Sequence, residues 1–290
     1  MAAEKLDPVT GRMTTGHEWN GIEELDTPVP RVVLFFLAAS TLFAVFYWIL
    51  MPAWPLGWTY TKGVLGINQR EVVARQVEAA TAERAVWTDK IMAAGFPEIE
   101  ADEALMAKVR ETGHTLFRDN CAACHGIDAT GGPGFPDLTA KAWLWGGDPE
   151  MIAETIRIGI NSTNEDTRVS QMLAFGRDEV LDRKKISDVV SYVQSLSAPE
   201  SGDAQAINAG REVFATNCVA CHGEDGKGKK DVGAPDLTDS HWIYGSDRQS
   251  IYTTVYGGRQ GHMPHWGGRL SPLDIKMLTA YVHTLGGKAP

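Results

Sequence analysis

Two copies of one short string hold the residues best suited to chemistry. The first is Cys121-Ala122-Ala123-Cys124-His125, and the second is Cys218-Val219-Ala220-Cys221-His222. In a Cys-x-x-Cys-His string the two thiols attach covalently to a haem, and the adjacent histidine coordinates the iron. The two strings use all four cysteines of the chain, so none remains for a disulfide or a catalytic thiol. The sequence therefore predicts two haem c groups, with His125 and His222 as the proximal ligands.

A zinc site is the alternative for two Cys-x-x-Cys pairs. Zinc ribbons place the two pairs about 15–20 residues apart. Here the pairs begin at Cys121 and Cys218, and each is followed directly by a histidine. Both the spacing and the added histidine favour haem over zinc.

The sixth iron ligands are expected downstream of each string, at Met172 and Met263. The two methionines align when the two strings are superposed, and a thioether favours the reduced state of an electron-transfer haem. By sequence order, Met172 would serve the haem of His125 and Met263 the haem of His222. Four residues remain as alternatives for one or other iron: Met151, His114, His262 and His265.

The similarity of the two strings extends outwards into a repeat of a whole domain. Pro136-Asp137-Leu138-Thr139 matches Pro235-Asp236-Leu237-Thr238, and Tyr192-Val193 matches Tyr281-Val282. The first copy is longer by about eight residues around Gly159–Val169. Two equivalent domains are the simplest interpretation of such self-similarity.

Each repeat is expected to be helical, because no stretch alternates like a strand between hairpin turns. We predict a first cytochrome c domain at residues 111–198, a linker at 199–207 and a second domain at 208–290. Residues 59–110 have Ala, Glu, Arg and Val at helical spacing and are assigned as a connector without chemistry. The fold class is thus mainly α, with two tandem all-α cytochrome c domains after an N-terminal transmembrane helix.

The transmembrane helix is predicted from an uncharged segment. No charged residue lies between Val32 and Thr61, and residues 32–50 contain only Ser40 and Thr41 as polar side chains. Such a segment is long enough as a helix to cross the roughly 30 Å hydrocarbon core of a bilayer. We assign residues 32–58 to the span and 1–31 to the segment before it. Because bacteria attach haem outside the cytoplasmic membrane, residues 1–31 should be cytoplasmic and the haem domains periplasmic.

Charge limits the possible partners. The formal net charge is −10, which argues against nucleic acid and for basic partners through long-range steering. Two arginines, Arg168 and Arg259, lie four residues before the methionines and either neutralise haem propionates or remain solvated. Three tryptophans are assigned to packing around the haems: Trp143, Trp145 and Trp242.

The arrangement resembles the dihaem cytochrome c subunit, subunit III, of the cbb3-type cytochrome c oxidases. Besides the haem strings, the resemblance rests on Thr15-Gly16-His17-Glu18-Trp19-Asn20-Gly21-Ile22-Glu23-Glu24-Leu25 and on Pro28-Val29-Pro30-Arg31 before the span. The N-terminal string matters because haem strings alone occur in many unrelated electron carriers. One departure is Leu173 after Met172, where the family more often has Met-Pro.

The resemblance implies an electron-transfer subunit with no active site of its own, in the bacterial inner membrane. Electrons from a donor cytochrome c would pass through the two haems to a monohaem cytochrome c subunit. They would then reach the haem-copper subunit, which reduces oxygen and pumps protons. By similarity to monohaem cytochromes c, the backbone carbonyls of Pro136 and Pro235 would orient the proximal histidines.

Two other functions fit a chain with two haem strings. A dihaem peroxidase needs one iron with a vacant or displaceable ligand, and two equivalent methionines argue against that. The second alternative is a membrane-anchored cytochrome subunit of a periplasmic dehydrogenase. Co-purification with a haem-copper subunit would favour the oxidase subunit over this alternative.

Overall fold

The structure, a computed structural model, describes residues 5–140, 142–198 and 203–286. Part of the predicted linker (199–202) and the end of the last predicted domain (287–290) lie outside the described residues. The chain divides into two compact units between Glu83 and Arg84. In chain order, the described elements are β1 (Thr14–Trp19), β2 (Ile22–Leu25), α1 (Arg31–Leu50), α2 (Gln69–Ala93), α3 (Phe96–Ala101), α4 (Glu103–Asn120), α5 (Ala122–His125), α6 (Pro149–Ile158), α7 (Arg183–Ser197), α8 (Ala204–Asn217), α9 (Val219–His222), α10 (Arg248–Gly257) and α11 (Pro272–Leu285). The mainly helical fold class is confirmed.

The N-terminal segment, for which we predicted no secondary structure, contains an antiparallel hairpin of β1 and β2. Trp19 pairs with Ile22 across Asn20 and Gly21, whose φ values are 54° and 84°. A two-residue hairpin turn of type I′ needs positive φ at both central positions, and Asn-Gly is a pair that readily supplies it. The signal was therefore present in the sequence between two apolar residues.

Helix α1 is apolar around its whole circumference and exposed along its whole length. Its mean hydropathy is 2.3, and among the described helices it alone is long and apolar enough to cross a membrane. The helix ends at Leu50, before the predicted limit at residue 58. Pro52 follows this end, and the N–H group of Val64 donates to the carbonyl of Ile49, so a returning loop closes the helix.

In the second unit, the helices of the two repeats are exchanged. The last helix of the first repeat, α7, packs on α8 and α10 of the second repeat. The last helix of the second repeat, α11, packs on α4 and α6 of the first. We call α4, α5, α6 and α11 the first haem module, and α7, α8, α9 and α10 the second haem module. The predicted boundaries at 111–198 and 208–290 follow the sequence repeats, whereas the packing units combine parts of both.

Two glycines allow the exchanged helices to cross at close range. A Cβ atom on Gly113 of α4 would lie 2.6 Å from the Cβ of Tyr281 in α11. A Cβ atom on Gly210 of α8 would lie 2.1 Å from the backbone oxygen of Asp188 in α7. Each module therefore has the same tight crossing, made by an entering helix from one repeat and a final helix from the other.

The exchange has a simple origin in chain connection. Helix α7 ends at Ser197 and α8 begins at Ala204, and a connection of this length keeps consecutive helices as neighbours. Helix α7 thus remains beside the second repeat, and the first repeat is completed by the equivalent helix α11.

Each module has its own apolar core. The buried side chains of the second module come from both repeats: Leu181, Ile186, Val189, Val190, Val193, Phe214, Ile251 and Val255. The buried side chains of the first module also come from both repeats: Phe117, Ala129, Ile152, Ile156, Leu278 and Val282. A third cluster joins the end of α2 and helices α3 and α4 to α11, so the part of the predicted connector that belongs to the second unit packs on the second repeat's last helix.

Candidate haem sites

Each haem string forms a single helical turn directly after a long helix. In the first string, the N–H groups of Cys124 and His125 both donate to the carbonyl of Cys121, at 3.1 and 3.0 Å. In the second, Cys221 and His222 donate to Cys218 in the same way, at 3.2 and 2.9 Å. Residues three apart lie on one side of such a turn, so each turn presents its two thiols together beside the histidine.

Backbone carbonyls hold both histidine rings, as expected from the resemblance to cytochromes c. The Nδ1 atom of His125 lies 3.2 Å from the carbonyl oxygen of Pro136, and that of His222 lies 3.2 Å from the oxygen of Pro235. An N–H at Nδ1 donates to the carbonyl and leaves the lone pair of Nε2 free for a metal. The hydrogen bond to the proline carbonyl fixes both the tautomer and the direction of each ring.

Burial acts on the titratable groups of both turns. It lowers the pKa of both imidazoles, against the opposing effect of the proline carbonyls, so His125 and His222 remain neutral bases suited to iron. Burial also raises the pKa of Cys121 and of Cys218 to about 11, with a smaller contribution from the neighbouring cysteine. The partner cysteines, Cys124 and Cys221, are exposed.

The two methionines lie in the opposite modules from those that sequence order predicted. Met263 packs against the first module's core, in the cluster that contains Phe117 and Cys121. Met172 packs against the second module's core, in the cluster that contains Phe214 and Cys218. The structure thus places Met263 with the first string and Met172 with the second, the reverse of the pairing expected from sequence order, because the segments that carry the methionines are exchanged together with the final helices.

The alternative ligands have other contacts. His262 is exposed, and its Nδ1 atom lies 2.9 Å from the backbone oxygen of Asn161. The ring of His114 meets that of Tyr281 edge-on, with centroids 6.2 Å apart. His265 is half-buried two residues after Met263, and the side chain of Met151 lies beside Gly146.

The first module also carries donors that suit a buried carboxylate. Trp145 is buried, and its Nε1–H has no acceptor among the described residues. The guanidinium of Arg168 stacks 5.0 Å from the Trp145 ring centroid, and its Nε donates to Thr155 at 3.0 Å. Burial lowers the pKa of Arg168. A buried unpaired N–H calls for an acceptor, and the propionate of a bound haem would supply one.

The second module repeats this arrangement with a different ring. Arg259 stacks 4.2 Å from the ring centroid of Tyr244, and its Nε donates to Thr254 at 3.0 Å. Between the two modules lies a cleft of about 730 Å³, lined on one side by residues that include Pro136 and on the other by residues that include Pro235. The donor sets and the oriented histidines fit a haem in each module.

No described group of three or more His, Cys, Asp or Glu side chains is close enough to hold another metal ion. The two cysteine pairs belong to different modules, so the structure does not bring them together as a zinc site would require. With the candidate membrane helix α1, these features define the class of protein as a membrane-anchored dihaem c-type cytochrome.

Comparisons with known proteins identify the family. Residues 11–58 match the N-terminal domain of cytochrome oxidase-cbb3, FixP, residues 110–197 match cytochrome c, and residues 205–282 match subunit III of cbb3-type cytochrome c oxidase. The chain is 46% identical to the cbb3-type cytochrome c oxidase subunit FixP of Azorhizobium caulinodans, covering 97% of this chain and 96% of that protein. It is 44% identical to subunit CcoP of Cereibacter sphaeroides, covering 94% of each, and 41% identical to CcoP of Azospirillum brasilense, covering 99% of each. The chain belongs to the FixP/CcoP family of cbb3-type cytochrome c oxidase subunits, which makes it an electron-transfer subunit of an enzyme complex.

Proposed function

We propose that this subunit relays electrons from a donor cytochrome c to the catalytic haem-copper subunit of its oxidase, with a monohaem cytochrome c subunit between them. Oxygen reduction and proton pumping then belong to the complex and not to this chain. The proposal is supported by the family membership along nearly the whole chain and by two haem sites that each have a second protein ligand at hand. An iron held by two protein ligands leaves no open position for a substrate.

The proposed orientation places residues 1–31 in the cytoplasm and the haem modules in the periplasm, in the bacterial inner membrane. Covalent haem attachment outside the cytoplasmic membrane supports it. Within the described residues, one helix could span a membrane, and this helix, α1, separates the N-terminal hairpin from all four cysteines. One crossing is therefore sufficient for this arrangement.

We assign the iron ligands crosswise between the repeats. His125 and Met263 belong to the first haem, and His222 and Met172 belong to the second. The observation that carries this assignment is the division of the methionines between the two cores: Met263 packs against the core that Cys121 contacts, and Met172 packs against the core that Cys218 contacts. Haem c supplies reversible one-electron chemistry, and the chain holds its ring, fixes the histidine tautomer and presents a thioether that favours the reduced iron.

The crosswise assignment is tested with chains that attach a single haem. A chain with both Cys121→Ala and Cys124→Ala keeps only the second haem, and its ferric form should show the far-red methionine-to-iron absorption. Adding Met263→Ala should leave that absorption in place, and adding Met172→Ala should abolish it. The reciprocal chain, with Cys218→Ala and Cys221→Ala, should give the opposite result. Loss of the absorption with the methionine of the same repeat would contradict the assignment.

The relay itself is tested on the purified membrane complex. The subunit should co-purify with a haem-copper subunit, and Met172→Ala or Met263→Ala should slow oxygen consumption driven by a donor cytochrome c. Association with a dehydrogenase instead, or turnover of peroxide by a high-spin haem in the unaltered chain, would refute the proposed relay.

A further inference from the structure

The segments that carry the two methionines are each paired with the other repeat. Met263 and Ile160 exchange two backbone hydrogen bonds, each 2.9 Å. Met172 and Arg259 exchange two more, at 2.8 and 3.1 Å. The residues just before Ile160 and Arg259 are equivalent glycines, Gly159 and Gly258, and a Cβ on each would lie within 2.5 Å of the facing methionine's carbonyl oxygen. The two methionines therefore share the same kind of backbone pairing and the same close approach to a glycine.

The symmetry ends at the eight or so extra residues of the first repeat. These residues lie between Gly159 and Arg168, and they include Asn161. After Arg259 the second repeat proceeds directly to the segment of Met263. Asn161 thus has no counterpart in the second repeat, although it lies where the two methionine segments come together.

The side chain of Asn161 holds both segments at once. Its Nδ2 donates to the carbonyl of Ser170 at 2.8 Å and to the carbonyl of Gly261 at 2.6 Å. Its Oδ1 accepts from the N–H of Ser170 at 3.1 Å. Ser170 and Gly261 each lie two residues before a methionine, one before Met172 and the other before Met263.

The backbone of Asn161 adds two more contacts to the same segments. Its N–H donates to the carbonyl of Arg168 at 2.7 Å, and its carbonyl lies 2.9 Å from Nδ1 of His262. Its φ is 48°, in the left-handed region that asparagine tolerates better than most residues. An amide side chain is needed here, because it offers two N–H donors and one acceptor from a single planar group.

We propose that Asn161 is a positioning residue that locks the axial-methionine segments of both haems together. The inference rests on the proposed crosswise ligation by Met172 and Met263. With the clamp in place, each thioether is held against its module, and a displacement of one segment is transmitted to the other. The extra residues of the first repeat therefore serve both haems, although they belong to one copy.

The test is Asn161→Asp in the full haem-loaded chain. Aspartate keeps the shape, the tolerance of positive φ and the Oδ1 acceptor, but it replaces both donors with an oxygen that faces two carbonyls. Loss of two hydrogen bonds should raise the fraction of detached methionine roughly tenfold. We expect a roughly tenfold faster binding of carbon monoxide to both ferrous haems, a weaker far-red absorption of both ferric haems and lower reduction potentials for both.

Asn164→Asp is the matched control, because Asn164 lies in the same loop and uses its Oδ1 to accept from the N–H of Asp166 at 2.9 Å. Aspartate preserves that bond, so the control should bind carbon monoxide like the unaltered chain. Asn161→Gly removes the side-chain bonds without adding a charge, permits the same φ, and should act on both haems in the same direction. It keeps the test decisive if the aspartate variant does not fold.

The single-haem chains described above separate the two sites in these measurements. An effect of Asn161→Asp on one haem alone, or on neither, would overturn the clamp. Absence of methionine absorption from both haems of the unaltered chain would instead overturn the ligand assignment beneath it.

Discussion

Ile160 and Met263 exchange both of their backbone hydrogen bonds, each 2.9 Å between nitrogen and oxygen. This pairing fixes a methionine of the second repeat to the chain of the first. Met172 and Arg259 form the reciprocal pair. Together with the exchanged helices α7 and α11, the pairs make each haem module depend on residues from both repeats.

The first prediction concerns cooperative unfolding of the two modules. Because neither repeat can complete a module alone, we expect both haems to be released from their methionines at one denaturant concentration. Unfolding by guanidinium can be monitored by haem absorption in each single-haem chain and by helix content in the full chain. The transitions should coincide. Two transitions that are well separated in denaturant would show that the repeats fold as independent domains.

The second prediction concerns the helix crossing at Gly210. Alanine in a helix interior is normally more stable than glycine by up to about 1 kcal/mol. At Gly210, however, the added Cβ would lie 2.1 Å from the backbone oxygen of Asp188, and backbone cannot move aside cheaply. We expect Gly210→Ala to lower the free energy of unfolding by about 1–3 kcal/mol, measured by denaturant titration of the haem-loaded chain.

A helical glycine outside the crossing serves as the control. Gly257 ends α10, and a Cβ there would meet no atom within 4 Å. Gly257→Ala should therefore be neutral or stabilising by up to about 1 kcal/mol. Equal effects of the two substitutions would mean that the crossing of α7 and α8 is looser than the structure shows.

Much of the site could be predicted from the sequence, because its signals are local. The haem turns are short strings, and Pro136 and Pro235 lie in a stretch shared by both repeats. Helix α10 begins directly after Asp247, whose side chain accepts from the N–H groups of Gln249 and Ser250. Such features depend on residues close together in the chain, so they leave a signal in the sequence itself.

The exchange could not be predicted, because it is a choice between nearly equal partners. Helices α7 and α11 carry the same Tyr-Val pair, at Tyr192 and Tyr281, and either would present the same face to an entering helix. The short connection after Ser197 keeps α7 beside α8. The length of a connection between two helices is not visible as a local sequence motif. The Asn161 contacts were equally hidden, because Ser170 and Gly261 become its neighbours only after the exchange.

The third prediction concerns the unpaired indole of Trp145. Its buried Nε1–H lies beside Arg168 and has no acceptor among the described residues. If a haem propionate accepts this hydrogen, Trp145→Phe removes a hydrogen bond to a charged group, which is worth about 1.5–3 kcal/mol. We expect the haem-loaded chain to lose that much stability and the first haem to change its reduction potential.

Trp143→Phe provides the comparison, since Trp143 packs against the same module's core. It should lower stability through lost packing but leave the reduction potential of the first haem nearly unchanged. A shift in potential of the same size for both variants would show that the indole N–H of Trp145 has no special acceptor.

The fourth prediction is a pH dependence centred on Asp137, which follows the carbonyl that holds His125. Burial raises the pKa of its carboxyl, but hydrogen bonds from the hydroxyl and N–H of Thr139 and from the N–H of Ala140 outweigh it, so the pKa lies below the usual value. A carboxyl with a lowered pKa in the folded state stabilises the fold fully above its unfolded pKa, which is about 3.9. That contribution is lost as the pH falls through the lower, folded pKa.

Asp137→Asn removes the titration and keeps an acceptor of the same shape. At neutral pH we expect the variant to be less stable by roughly 1 kcal/mol or less, because a neutral oxygen accepts these bonds more weakly. The difference between the two chains should stay constant down to about pH 4 and disappear below it. Urea unfolding of both haem-loaded chains across this range measures the difference directly, and titrations elsewhere in the protein cancel. A gap that persists unchanged at the acid end would show that the stability of this turn does not depend on the charge of Asp137.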